Sequence, residues 1–316
     1  MSDKRVIAVV GATGAQGGSL VRAILRDKNS EFRARAITRD ANSEKARALT
    51  KAGAEVVEAD VDDLQSLVKA FEGAYGAFCV TFFWEHFSAE KEKLQAKNMA
   101  EAAKQSGVQH VIWSSLEDTR RWIPLSDDRM PTLQEKYKVP HFDAKGEANA
   151  FFTERQLPVT ILNTSFYWEN MIHFGTGPKK GENGKLAITF PMGDKQLPSI
   201  SSEDIGKCAY GIFKKGSEYI GKTIGIAGEF ISGAQMAAVL TKALGQEVVY
   251  NDVPPEVYRS FGFPGADDMG NMFQFKRDFE KEYTASRDIS LARKLNPDLQ
   301  DFQTWLAKNK DRIPLE

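Results

Sequence analysis

Apolar residues in the first half of the chain come in short blocks separated by amphipathic stretches, a rhythm that reads as strand and helix in alternation. Val6-Ile7-Ala8-Val9-Val10 is a continuous apolar run, the pattern of a short strand. Leu20, Val21, Ile24 and Leu25 then recur at helical spacing. Phe32 to Thr38 reads as strand two, Ser43 to Ala52 as a helix closed by Gly53, and Glu55 to Ala59 as strand three. Asp62 or Asp63 caps a helix whose Leu64, Leu67, Val68 and Phe71 share one face. Tyr75 to Val80 is strand four, a long helix runs from the cap Ser88 to Gly107, and Val108 to Ser114 is strand five. Leu116 to Val139 is irregular and charged and reads as a loop or lid. Pro140 suits the first turn of a helix reaching about Arg155, and Pro158 to Leu162 is strand six. Right-handed crossovers make the six strands parallel.

The rhythm weakens beyond residue 160. Ser199 to Asp204 resembles a short strand followed by a capped helix, and Lys222 to Ala227 another strand. Segments near 196–228 are expected to return to the first domain. Pro254 to Phe275 and Leu291 to Lys308 read as helices of a smaller lobe over the cleft.

Strand one runs straight into Gly11-Ala12-Thr13-Gly14-Ala15-Gln16-Gly17, with a helix pattern behind it. Gly11 permits the tight turn, Gly14 lets the backbone approach a pyrophosphate, and Gly17 lets the helix press on the sheet. The helix N-terminus then offers free N–H groups and a positive dipole to phosphates. The fold class is therefore α/β: a doubly wound parallel Rossmann sheet with a smaller, mostly helical C-terminal lobe. Residues 1–160 form its NADP-binding domain and 161–316 the smaller, cleft-covering lobe.

The end of strand two selects the cofactor. Arg39 stands directly at the strand end, where a guanidinium pairs with a 2′-phosphate, so NADP(H) is expected; the rival is Asp40, which would read a ribose hydroxyl. Asp60, past strand three, either accepts hydrogen bonds beside the adenine or caps the next helix. Thr81 and Ser114-Ser115 end strands four and five, at the nicotinamide side. A hydride-transferring enzyme of this class needs a Tyr-x-x-x-Lys pair on the next helix, and here the stretch is His141-Phe142-Asp143-Ala144-Lys145. Lys145 is present, whereas His141 occupies the tyrosine position, either as a proton donor or as packing at the cleft wall. Tyr137 precedes Pro140 and is no clear substitute.

The net charge of −1 argues against direct nucleic-acid or anionic-membrane binding. Two cysteines make no disulfide framework, four scattered histidines make a metal site improbable, and no 18-residue apolar run is present. Met1-Ser2-Asp3-Lys4 leads directly into strand one without a targeting signal, so a cytoplasmic protein is expected.

Further runs make the resemblance specific: Thr38-Arg39, Val80-Thr81 with Trp84-Glu85, His141 to Glu147, Phe166-Tyr167-Trp168-Glu169-Asn170, and Gly262-Phe263-Pro264-Gly265-Ala266 leading to Asn271-Met272-Phe273. With the glycine loop, these resemble the NmrA-like family of atypical short-chain dehydrogenase relatives over essentially the whole chain, closest to its human NADPH-sensor branch. The resemblance implies a cofactor pocket lined by Gly11 to Gly17, Arg39, Thr81, Lys145 and Ser165, Phe166, Tyr167 and Trp168. It implies a redox sensor without ordinary dehydrogenase activity, read by a regulatory protein partner, with oligomerisation open. The alternative is an NADPH-dependent reductase of a small quinone, aldehyde or unsaturated substrate. In that case Lys145 or His141 assists, and Phe82, Phe83, Trp84, Phe166 and Trp168 shape an apolar pocket. Two departures, Ser43 and Leu94 where the sensor branch has basic residues, weaken the grip on phosphate.

Overall fold

Seven parallel strands form the central sheet of the computed structural model, which describes residues 4–181 and 184–315. Met1 to Asp3, read above as leading into strand one, lie outside the described residues. Six strands come from the N-terminal half: β1 (Arg5–Val9), β2 (Phe32–Thr38), β3 (Glu55–Glu58), β4 (Gly76–Cys79), β5 (His110–Ser115) and β6 (Val159–Asn163). Helices α1 (Ala15–Arg26), α2 (Glu44–Lys51), α3 (Leu64–Phe71), α4 (Ala89–Gln105) and α5 (Pro140–Thr153) connect them. The spatial order β3-β2-β1-β4-β5-β6 reverses direction at β1, which opens a crevice at the carboxyl ends of β1 and β4.

Strand periodicity explains the layers. Ile7 and Val9 of β1 enter one core with Leu20, Val21 and Ile24 of α1, whereas Val6, Ala8 and Val10 enter the opposite one with Leu67, Phe71, Met99 and Phe152. Both faces of β1 are buried, as its unbroken apolar run requires.

The remaining strands are β7 (Phe166–Tyr167), β8 (Lys179–Lys180), β9 (Leu186–Thr189), β10 (Leu197–Ile200), β11 (Thr223–Gly225), β12 (Glu229–Ile231) and β13 (Val248–Asn251). The remaining helices are α6 (Asn170–His173), α7 (Ser202–Lys214), α8 (Gly233–Leu244), α9 (Pro255–Arg259), α10 (Ala266–Asp278), α11 (Glu280–Ala285), α12 (Ile289–Leu295) and α13 (Phe302–Asn309). β11 extends the large sheet beside β6, and α7 packs Ile205, Cys208 and Ile212 into the α1 core. β10, by contrast, does not return to the large sheet. It lies between β12 and β7 in a separate three-stranded sheet, and β13, β9 and β8 form another. The lobe thus carries two small sheets among its helices, around a third core that includes Trp168, Phe273 and Trp305.

Each of the two segments read as helices contains a break. Gly262-Phe263-Pro264-Gly265 separates α9 from α10, with Gly265 at φ +82°, and α12 ends just before Asn296-Pro297. The segment 116–139 is irregular, as expected, but pinned rather than free. The buried Asp143 carboxylate accepts from the Thr119, Lys138 and Val139 N–H groups, and Asn271 of α10 donates to the Pro131 and Lys138 carbonyls. No helix among the described residues is long and apolar enough to cross a membrane.

Candidate functional site

The glycine loop closes where its spacing predicts. Gly11 has φ +63°, and the Gly14 N–H donates to the Gly11 carbonyl at 2.9 Å. A Cβ on Gly17 would stand 2.5 Å from the Gly11 oxygen and 2.7 Å from that of Val10, so only glycine allows α1 this close to β1. Gly14 is the N-cap of α1, no side chain caps the helix, and its first turn carries no acid. Gly11, Gly14 and Ala15 are exposed, Thr13 and Gln16 are half-buried, and Ala12 is buried with its N–H on the Ile37 carbonyl. The result is a positive, uncapped helix end open to an anion. Gln16 has a further role. Its amide donates to the Tyr167 hydroxyl at 2.7 Å and accepts from Ser114 at 2.7 Å, tying the start of α1 to the end of β5 and to β7.

Arg39 projects from the end of β2 with its side chain 60% exposed, and pairs with Glu85, from the loop after β4, at 2.5 Å. Asp40 uses its carboxylate to accept the Asn42 N–H. Ser43 caps α2, and Leu94 is exposed on α4. Asp60 does not cap α3; that role belongs to Asp63. Asp60 instead turns the chain by accepting the Asp62 N–H at 2.9 Å.

At the other end of the crevice, Lys145 and Thr81 meet. Lys145 Nζ donates to Thr81 Oγ1 at 2.5 Å and lies 5.0 Å from the Trp113 ring centroid. Both converge on a residue that sequence reasoning missed. Glu92 of α4 is fully buried, accepts from Thr81 at 2.6 Å, and lies 2.9 Å from Lys145. Burial alone would push its carboxyl up, but the Lys145 charge, the nearby His86 ring and the hydrogen bond from Thr81 bring it down to about 2. Its signal was present: Glu92 interrupts the stripe Ala89, Ala96, Met99 and Ala103 that faces the sheet.

His141 is buried against Trp84 and Phe83, and its Nδ1 lies 2.6 Å from Oδ1 of Asp268 on α10. The other Asp268 oxygen accepts the His141 backbone N–H at 3.2 Å. A carboxylate accepts, so Nδ1 carries the proton of this bond and Nε2 is the nitrogen left to exchange one. Tyr137 is engaged elsewhere, donating to Glu90 at 2.7 Å. Ser115 donates back to Asn149 of α5 at 2.7 Å.

The segment after β6 is placed less as expected. Ser165 donates to the Ile226 carbonyl, and Tyr167 reaches Gln16. The side chains of Phe166 and Trp168, by contrast, point into the lobe core, Phe166 against Phe273 and Trp168, with no exposure, against Phe302 and Trp305. The indole of Trp168 is therefore core, not cleft wall. Phe83 is buried as well, whereas Phe82, Phe87 and Phe174 are exposed.

A sequence profile of the NmrA-like family matches residues 3–306. The NmrA-like family domain-containing oxidoreductase FrzB of Cladobotryum sp is 31% identical over 303 residues, 89% of this chain and 86% of that protein. Among solved structures, the negative transcriptional regulator NmrA in complex with NADP superposes with a TM-score of 0.79 at 24% identity, covering 97% of this chain and 95% of that one. The Citrobacter sp. triphenylmethane reductase complexed with NADP(H) does so with a TM-score of 0.73 at 19% identity, covering 97% and 99%. At these identities the structural likeness concerns the fold.

Proposed function

The chain belongs to the NmrA-like family, and on that premise we propose that it is an NADP(H)-dependent reductase of a small apolar carbonyl, quinone or unsaturated compound. The observation that carries this reading is the buried His141–Asp268 pair in the position where a short-chain dehydrogenase keeps its tyrosine. The matched relative is named an oxidoreductase, and NmrA and triphenylmethane reductase were both crystallised with NADP or NADP(H). In this reading residues 1–160, with α7 and β11, hold the dinucleotide, and the rest covers the cleft.

The residues present fit that group. The uncapped N-terminus of α1 suits a pyrophosphate, and Arg39 suits a 2′-phosphate that displaces Glu85. When bound, NADPH supplies a hydride. Lys145, held by Glu92 and Thr81, presents an ammonium to the cofactor ribose. As the imidazolium, with Asp268 as counter-charge on Nδ1–H, His141 would give the Nε2 proton to the reduced substrate and be left as the Nδ1–H tautomer, while Asp268 fixes the ring's orientation. Trp84 and Phe83 pack on the imidazole and keep water from it.

A specific observation favours a second reading, a cofactor-occupancy sensor read by a protein partner. The Arg39–Glu85 pair links the 2′-phosphate position to the loop carrying the exposed Phe82 and Phe87, so NADP(H) binding would alter that surface. One experiment separates the two. NADPH oxidation is followed over a panel of quinones, aldehydes and enones, beside limited proteolysis with and without NADPH. Turnover that depends on His141 supports the reductase; failure of every substrate, with an NADPH-dependent cleavage pattern, supports the sensor.

A further inference from the structure

Lys276 of α10 is 2% exposed, yet its Nζ makes no hydrogen bond or ion pair among the described residues. It sits instead among three rings, 5.3 Å from the centroid of Phe142, 5.4 Å from Tyr283 and 5.6 Å from Phe166. A second orphan lies in the same box: the Tyr283 hydroxyl is buried without a partner. Buried donors are nearly always satisfied, so a lysine this deep without a polar partner, beside a ring whose buried hydroxyl also lacks one, needs an explanation.

The charges nearby do not supply one. Arg287 is buried beside the box, stacked on the Tyr283 ring at 4.5 Å. Its guanidinium is already paired with Glu117, so among the described residues no carboxylate pairs directly with Lys276. Burial pushes the Lys276 amine down to about 7, and Arg287 acts in the same direction while Glu117 opposes it. The box also adjoins the proton-transfer position. The Phe142 ring that covers Lys276 lies 4.9 Å from the His141 ring, and Phe166 opens the segment after β6.

We propose that Lys276 anchors the carboxylate of the substrate, a carboxylic acid on an aromatic or flat apolar frame. The inference rests on the reductase reading and narrows its substrate class. A carboxylate supplies the missing acceptor and counter-charge, and the apolar rings of Phe142, Phe166 and Tyr283 around Nζ match an apolar rather than a polar frame. Because the amine is largely neutral at about pH 8, an arriving anion draws a proton onto Nζ.

The test is calorimetry on the NADP⁺-saturated protein at about pH 8, with benzoate and benzamide as probes and buffers of different ionisation enthalpy. Benzoate is expected to bind at least tenfold more tightly than benzamide and to take up close to one proton. Lys276→Met should lower benzoate affinity to that of benzamide and abolish the uptake; Lys276→Arg, already charged, should bind benzoate without uptake. Equal affinity for the two probes, binding without proton uptake, or benzoate affinity unchanged in Lys276→Met would overturn the proposal. NADP⁺ binding is measured first. If it fails, the reductase reading fails, and the same titration on the free protein still decides Lys276. If NADP⁺ binds and benzoate ignores Lys276, only this inference falls.

Discussion

Asp268 stands 127 positions from His141 in the chain, yet its carboxylate holds both the imidazole Nδ1, at 2.6 Å, and the His141 backbone N–H, at 3.2 Å. One side chain from the C-terminal lobe thus sets the orientation of the ring at the start of α5. The C-terminal lobe fixes a residue of α5 rather than merely packing over it.

Glu92 has the same architectural meaning for Lys145. Glu92→Gln leaves a buried ammonium without its counter-charge and should cost about 3–5 kcal/mol in chemical denaturation. The sign with pH follows from the folded pKa, about 2 against the ordinary 4.5. Glu92 contributes stability that is present above about pH 4.5 and lost as pH falls towards 2. The wild type should show this acid component and Glu92→Gln should lack it; parallel pH profiles would refute the pairing.

The glycines separate binding from folding. A Cβ on Gly14 meets only the Gly11 oxygen, at 3.2 Å, whereas one on Gly17 meets backbone at 2.5 Å. Gly14→Val should therefore stay folded by circular dichroism and lose dinucleotide binding by calorimetry. Gly17→Val should lose thermal stability outright. A folded Gly14→Val that binds NADPH normally would reduce the loop to a turn.

Arg39 should carry the preference for NADP over NAD. Arg39→Ala is expected to cost NADP about 1.5–3 kcal/mol in binding while leaving NAD nearly unchanged. Because Glu85 competes for an exposed guanidinium, Glu85→Gln should tighten NADP by no more than about fivefold, matching the roughly 1 kcal/mol ceiling of such pairs. Equal wild-type affinities for the two cofactors would sink this assignment.

The parts of the site legible in the sequence are those written in local spacing. The strand–glycine–helix run and Arg39 at a strand end follow from the periodicity of a doubly wound sheet, and Lys145 from its place four residues after His141 on the next helix. Asp268 was not legible, because its role depends on how α10 docks against α5, a tertiary fact with no local pattern. Glu92 was legible in principle, as a charge on a buried helical stripe. Trp168 misled because aromatic residues beside a cleft and in a core look alike in sequence; only its packing against Phe302 and Trp305 separates them. β10 misled because a four-residue strand carries no label of which sheet it joins.

The most direct test of the account compares NADPH-driven turnover in wild type, His141→Phe and Asp268→Asn, with NADPH affinity measured for each variant by calorimetry. If His141 supplies the proton and Asp268 orients it, both substitutions should lower kcat by roughly 10²–10⁴-fold while the NADPH Kd stays within a few-fold of wild type. Turnover that survives in both variants, or that falls only because NADPH no longer binds, would contradict the central claim.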